Sequence, residues 1–249
     1  MKKRKTRHNT VNPAALPEFR NETLHVADGL GSLLKRAAPA DLDNLRALMC
    51  QAVSVLAPLP GDVRTTRQLE AFRAIIMGLR RFSSGQLLWR GRPTFVTENL
   101  LRSLRREGAA LSEQAIRANG HLYHPGGHYA NNFAVSKELC VLMSSLVADC
   151  SPTGIASYVY YFAQGDGIPP HIDTPMFSLN VLLMLEHQHG PDPSHLLIYE
   201  GDPIPKRIYL EPGEMVIFDG SALVHAREKL GAKESISILT VGFSPQKLN

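Results

Sequence analysis

The chain is expected to form a mainly β core of the double-stranded β-helix type, also called a jelly roll, with a helical N-terminal half packed against it. Two observations indicate this. In the first half of the 249 residues, apolar side chains recur at helical spacing; from about residue 155, short apolar runs rich in β-branched and aromatic residues alternate with Gly- and Pro-containing turns. A β sandwich or barrel of this length often forms one unit, and no internal repeat is present.

The helical half is predicted from two apolar-periodic stretches between Asp41 and Arg81. They are separated by the helix-breaking segment PLPG. The apolar positions are Leu42, Leu45, Leu48, Met49, Ala52, Val53 and Leu56 in the first stretch, and Leu69, Phe72, Ile75, Ile76 and Leu79 in the second. Residues 97–106 and 113–118 are predicted to form further short helices.

The pattern changes near Ala118, where ANGHLYHPGGHYANNF replaces helical periodicity with turn-forming residues. A short helix is predicted over residues 136–146. The strand-like runs that follow are IASYVYYF, FSLNVLLML, HLLIYEG, KRIYL, EMVIFDG, ALVHA and SISILTVGF. We therefore divide the chain into a basic tail (1–20), a helical region (21–118) and a β core (119–249).

Charge is concentrated in the tail. Five basic residues before position 8 leave 22 Lys and Arg against 23 Asp and Glu, so the body is nearly neutral. The tail is expected to be solvated and disordered, without a nucleic-acid role, because no aromatic or glycine-rich recognition element accompanies it. No secretory signal and no run of 18 apolar residues is found. Three cysteines without CxxC pairing suit a reduced compartment, and we expect a cytoplasmic protein.

The chemistry is predicted from His171, Asp173 and His225. In extended backbone, residues i and i+2 project to one side, so His171 and Asp173 can offer a nitrogen and an oxygen to one ion. A histidine from a later strand would complete a 2-His-1-carboxylate facial triad, which leaves positions open on a non-haem Fe(II). His187, His189 and His195 flank a loop that is interpreted as an exposed hairpin, because no carboxylate at matching spacing completes a site.

The segments YYFAQGDGIPPHIDTPMFSLNVLLML, LEPGEMVIFDGSALVHA and GAKESISILTVGF resemble the core of the Fe(II)- and 2-oxoglutarate-dependent oxygenases. The resemblance covers roughly residues 155 to 244. It implies that His171, Asp173 and His225 bind Fe(II), that 2-oxoglutarate and O2 are co-substrates, and that an unactivated C–H bond of a small substrate is hydroxylated. In related halogenases Gly or Ala replaces the aspartate, so Asp173 favours hydroxylation over halogenation; desaturation, epoxidation and cyclisation stay open as alternatives.

The resemblance also implies a cation for the distal carboxylate of 2-oxoglutarate. Lys233 and Ser235 occupy the expected place, and as an i, i+2 pair both are expected to face the barrel interior. Arg227 is the competing cation. Of the tyrosines on the preceding strand, Tyr160 and then Tyr158 are predicted to contact the co-substrate, with core packing as the alternative for each.

The substrate is expected to be small and polar, an amino acid or a natural-product intermediate, free or carrier-tethered. Residues 119–133 form a candidate lid, and Arg90 and Arg92 are candidate substrate contacts; an ordinary loop and surface charges are the alternatives. Two rival functions stay open. An AlkB-like nucleic-acid demethylase would carry two spaced arginines on its closing strand, and the corresponding segment SISILTVGFSP has none. A non-catalytic cupin-like binding module would not need the full triad. The oligomeric state is not predicted.

Overall fold

The computed structural model describes residues 21–190 and 192–245; the predicted tail, residues 1–20, lies outside them. The helices of this part are α1 Asn21–Arg36, α2 Pro39–Leu56, α3 Thr66–Phe82, α4 Glu98–Ser112, α5 His128–Ala134 and α6 Lys137–Leu146. Local sequence sets where several begin. Pro39 opens α2, Thr65 and Gln68 form a capping box on α3, and Thr97 accepts a hydrogen bond from the backbone of Leu100 on α4.

The strands form two antiparallel sheets. Their bounds are β1 Leu87–Gly91, β2 Ile116–Ala118, β3 His121–Pro125, β4 Cys150–Tyr161, β5 Ile168–His171, β6 Leu179–Gln188, β7 Leu196–Tyr199, β8 Lys206–Ile208, β9 Met215–Phe218, β10 Val224–Arg227 and β11 Ser235–Pro245. The large sheet has the order β1-β9-β6-β11-β4-β3-β2, and the small sheet has the order β5-β10-β7-β8.

Alternation along the strands produces three apolar layers. Along β6, Leu182 and Met184 pack between the sheets, whereas Val181 and Leu183 point outward to helices α4, α5 and α6. The outer face of the small sheet is covered by α1, α2 and α3, with Phe72 packed edge-on against Tyr199. The helical half therefore covers both outer faces of the β core.

Most predicted elements agree with the structure, and most of the differences fall before strand β4. The predicted helix over 113–118 is wrong: Ile116–Ala118 is strand β2. The segment Leu87–Gly91 lies in the region predicted to be helical but pairs with β9 as the edge of the large sheet. Residues 121–134 contain a strand and a helix where turns were expected. None of the helices in the described residues has the length and apolar composition of a membrane span.

Candidate metal centre

His171, Asp173 and His225 are brought together by strand pairing. His171 ends β5, and the antiparallel register of β5 with β10 places His225 directly opposite it. Asp173 follows two residues later, where its backbone N–H donates to the carbonyl of Gly220 at 2.8 Å. One ligand atom from each of the three side chains lies within 4.8 Å of the others.

The donor atoms are oriented as a metal would require. His171 Nδ1 lies 2.9 Å from the carbonyl of Pro169, and His225 Nδ1 lies 3.0 Å from that of Leu223. These bonds fix each ring and leave both Nε2 atoms as ligands, the usual arrangement in histidine metal sites. Asp173 Oδ1 lies 3.8 Å from His171 Nε2 and 3.6 Å from His225 Nε2. Bonds of about 2.1 Å at right angles need ligand atoms about 3 Å apart, so small rotations suffice and a divalent metal fits.

Electrostatics favour neutral imidazole at this site. Burial, reinforced by the nearby His225, lowers the pKa of His171 to about 3. Burial also raises the pKa of Asp173, although His225, Asn180 and Arg46 act in the opposite direction. A cation placed between these groups would relieve the cost of burying the carboxylate without a counter-ion.

Asp173 is held by residues that the sequence did not single out. Asn180 Nδ2 donates to Asp173 Oδ2 at 2.9 Å, and Arg46 Nη2 of α2 donates to its backbone carbonyl at 2.8 Å. Gly220 lies so close that a Cβ there would overlap Asp173 Oδ2 and the carbonyl of Phe177. The only sequence signal was an arginine inside the apolar stripe of α2, which periodicity cannot connect to an aspartate 127 residues away.

The three ligands line a cavity of about 500 Å³ between the two sheets. Its deeper wall includes Tyr161 and Arg227, together with the inward positions Ile238 and Thr240 of β11. Its outer wall comes from helix α2, from the turn between β2 and β3, and from the segment around β5. The three metal-ligand candidates, the buried cation Arg227 and the residues of the outer wall thus line one cavity.

Arg227 is a buried cation with unused hydrogen-bonding capacity. It is 4% exposed, and its Nη1 donates to the carbonyl of Ser194 at 3.3 Å. Its Nε and Nη2 have no partner among the described residues, and its guanidinium carbon lies 5.9 Å from the centre of the Tyr161 ring. Because arginine keeps its charge when buried, this wall of the cavity is positive.

The expectation that Lys233 and Ser235 face the barrel interior is wrong. Lys233 is exposed in a turn with φ of 64°, before β11 begins, and does not line the cavity. On β11 the inward side chains are Ile236 and Ile238, so Ser235 lies on the opposite side of the strand. The competing cation, Arg227, occupies the cavity instead.

The predicted orientation of Tyr160 and Tyr158 is also wrong. Both side chains face α4: the Tyr158 hydroxyl donates to Glu107 Oε1 at 2.8 Å, and the Tyr160 hydroxyl donates to the carbonyl of Gly108 at 2.7 Å. Tyr161, one residue along, faces the cavity. Strand alternation separates Tyr161 from the other two, but it does not reveal which set points inward.

The remaining candidates divide between the cavity and the surface. In the segment 119–133, Asn119 and His121 line the cavity, and the other polar residues do not. Arg90 donates to the carbonyl of Tyr209, and Arg92 pairs with Glu98, so neither reaches the cavity. The expected exposed hairpin is only partly right, because the His187 side chain is buried against Glu234.

Comparison with known proteins supports the fold. No protein-family model matches the sequence, and no curated protein matches it. Among solved structures, the non-haem α-ketoglutarate-dependent epimerase SnoN from nogalamycin biosynthesis is similar, with a TM-score of 0.54 and 11% identity over 62% of this chain and 76% of that one. A prolyl-4-hydroxylase from Pseudomonas putida gives 0.51 and 14% over 68% and 97%.

A third similar structure is HygX from Streptomyces hygroscopicus with nickel, 2-oxoglutarate and hygromycin B bound. Its TM-score is 0.50, with 9% identity over 61% of this chain and 80% of that one. These TM-scores show a shared architecture and confirm the double-stranded β-helix expected from the strand pattern; at such low identities the similarity extends to the fold alone.

Proposed function

We propose that the protein is an Fe(II)- and 2-oxoglutarate-dependent dioxygenase that hydroxylates a C–H bond of a small polar substrate. One observation carries this proposal: a His-Asp-His set with both Nε2 atoms available shares a cavity with a buried, incompletely paired arginine. The first feature suits a metal with open positions, and the second suits the free carboxylate of a 2-oxo diacid.

In this proposal, His171, Asp173 and His225 hold the metal, and Arg227 binds the distal carboxylate of 2-oxoglutarate. Nε and Nη2 lie on one edge of the guanidinium and have no partner within the described part of the chain, so together they would serve as a fork for a carboxylate. Asn180 and Gly220 keep the Asp173 carboxylate in place. When bound, Fe(II) and 2-oxoglutarate supply the O2-dependent oxidising chemistry that amino-acid side chains lack.

The solved structures with this architecture support the proposed class of enzyme. They are those of an α-ketoglutarate-dependent epimerase, a prolyl-4-hydroxylase, and a protein with nickel and 2-oxoglutarate bound. Hydroxylation is proposed here because Asp173 supplies the carboxylate that the halogenases of the resembling family lack. An isomer of unchanged mass would instead indicate epimerisation. The cytoplasmic location stays a prediction.

The rival functions are weaker on specific grounds. Strand β11, Ser235–Pro245, contains no arginine, so the pair expected of an AlkB-like demethylase is missing. A cupin-like binding module would not require a cation beside the metal ligands. That module would bind metal without consuming 2-oxoglutarate.

The proposal is tested with anaerobic protein, Fe(II) and 2-oxoglutarate. We expect a visible metal-to-ligand charge-transfer absorption and, after O2 is admitted, release of succinate. The variant His225→Ala should lose both signals, whereas His189→Ala, which alters an exposed histidine outside the triad, should keep both. Metal binding without either signal would replace the oxygenase by the binding module.

A further inference from the structure

The part of the cavity that metal and co-substrate leave free has a distinct wall. Its polar side chains are Gln51 and Ser54 of α2, Asn119 of the β2–β3 turn, and Thr174 after the metal ligands. Its apolar surface comes from Pro169, Pro170 and Phe177. We infer that this region binds an uncharged substrate through hydroxyl or amide groups, and that Gln51 and Ser54 are specificity-determining residues.

Helix α2 is fixed directly to the metal-bearing segment. Arg46 donates to the carbonyl of Asp173, and Cys50 Sγ lies 4.0 Å from the carbonyl of Ile172. Ser54 follows on the same stripe, because positions four apart lie on one helix face about 6 Å from each other. Ser54 and the neighbouring Gln51 are therefore held beside the site by contacts to the ligand segment itself.

The charged side chains that line the cavity already have roles in the proposed function. Its charged side chains, among the described lining residues, are Asp173 and Arg227, and the proposed function assigns one to the metal and the other to 2-oxoglutarate. His121 is the remaining titratable imidazole outside the triad, and burial lowers its pKa, which favours the neutral ring. Nearby Arg117 is paired with Asp166 at 2.8 Å. Among the lining residues that the structure describes, no side chain is left to neutralise a substrate carboxylate, phosphate or ammonium.

The free-energy cost of placing an ionic group in this region decides the substrate class. An ionic group on this wall gives up part of its hydration and gains no counter-ion among the described lining residues, so its binding is disfavoured relative to that of hydroxyl and amide groups. Hydroxyl and amide groups can exchange water for Gln51, Ser54 and Asn119, and apolar groups can cover the prolines and Phe177. This inference rests on the proposed function, and it sets aside the free amino acid among the substrates expected from the sequence.

The test uses a metabolite extract of the organism that encodes the protein, separated by anion and cation exchange at pH 7 into anionic, cationic and unretained fractions. Each fraction is added to the Fe(II) enzyme with 2-oxoglutarate, and succinate and products are measured by mass spectrometry. We expect the unretained fraction to stimulate succinate release and to yield a product. Stimulation by a retained fraction would overturn the inference.

Charge-introducing variants provide an independent arm. Gln51→Glu and Gln51→Lys place opposite charges on the same wall. Both should weaken the stimulation of succinate release by about tenfold, which corresponds to a loss of roughly 1.4 kcal/mol of binding free energy. The matched controls Asn44→Asp and Asn44→Lys alter an exposed α2 residue outside the cavity and should leave stimulation unchanged. A gain with one sign and a loss with the other would show that the substrate is charged.

The two levels of proposal fail separately. If the charge-transfer absorption and the slow substrate-free release of succinate are intact but no fraction stimulates turnover, a free uncharged substrate is refuted and the oxygenase stands. If both signals are absent, the oxygenase itself is refuted.

Discussion

Replacing Arg227 by methionine should weaken 2-oxoglutarate binding far more than any change at Lys233. Arg227 is 4% exposed, lines the cavity and has two N–H groups without a partner among the described residues, whereas Lys233 is exposed outside the cavity. A hydrogen bond to a charged group contributes about 1.5–3 kcal/mol, so two of them correspond to roughly 3–6 kcal/mol. The expected increase in Kd is therefore about 10² to 10⁴-fold.

The assay is an anaerobic titration of 2-oxoglutarate into the Fe(II) protein, followed by charge-transfer absorption. Arg227→Lys keeps the charge but loses the fork, so an intermediate loss of about tenfold is expected. Lys233→Met should have the Kd of the unchanged protein. The reasoning would be refuted if Lys233→Met raised the Kd and Arg227→Met did not.

Protein stability provides the control for Arg227. Its Nε and Nη2 lack partners in the described residues, so methionine removes a buried cation that the metal-free fold does not fully satisfy. Replacement of such a group by an apolar side chain of similar length is often neutral or stabilising. Urea unfolding of the metal-free Arg227→Met variant should show no loss of free energy, which separates lost binding from misfolding.

Three further outcomes are expected. Gly220→Ala should weaken metal binding by about 10–100-fold, because the new Cβ displaces Asp173. The control Gly29→Ala, where a Cβ meets nothing within 4 Å, should leave metal binding unchanged. Equal metal affinities of the two variants would contradict this account. The metal-free protein should lose stability as pH falls from about 6.5 towards 3. Burial lowers the pKa of His171 to about 3 in the folded chain, so the unfolded chain binds the proton first. In urea unfolding between pH 7 and 5, the free energy of unfolding should fall with pH by up to about 1.4 kcal/mol per pH unit more than in His171→Gln. Tyr160→Phe should lower the unfolding free energy by about 1 kcal/mol through loss of its bond to helix α4 and leave the 2-oxoglutarate Kd unchanged; a raised Kd would return Tyr160 to the site.

Local sequence patterns were sufficient for the strands of the core and for the order of the metal-ligand candidates. The strand-like runs from IASYVYYF onward all contain strands of the structure, because period-two alternation and Gly/Pro turns are local signals. The strand-like runs did not include β1, β2, β3 or β5, of which β1 and β2 are short edge strands of the large sheet. LLWRG and IRA carry too few residues to show alternation, and only pairing with β9 and β3 makes them strands.

Which side chains face the cavity was decided by tertiary structure. The sequence by itself determined that His171 and Asp173 can act together, and that Tyr161 must oppose Tyr158 and Tyr160, because alternation fixes relative orientation. Absolute orientation depends on which layer covers each sheet face, and helix α4 took the face that holds Tyr158 and Tyr160. Such contacts join residues far apart in the chain, and no local period records them.

The same reason applies to the cation and to the substrate wall. Lys233 has the expected position in the sequence, yet its turn directs it to solvent, while the pairing of β10 carries Arg227 into the cavity beside His225. Helix α2 was predicted from its periodicity, but its role as a wall of the site follows only from its contacts with the segment that carries Asp173 and from the α2 residues that line the cavity. Sequence thus determined the elements and the candidate ligands, and the packing of distant elements determined which residues meet.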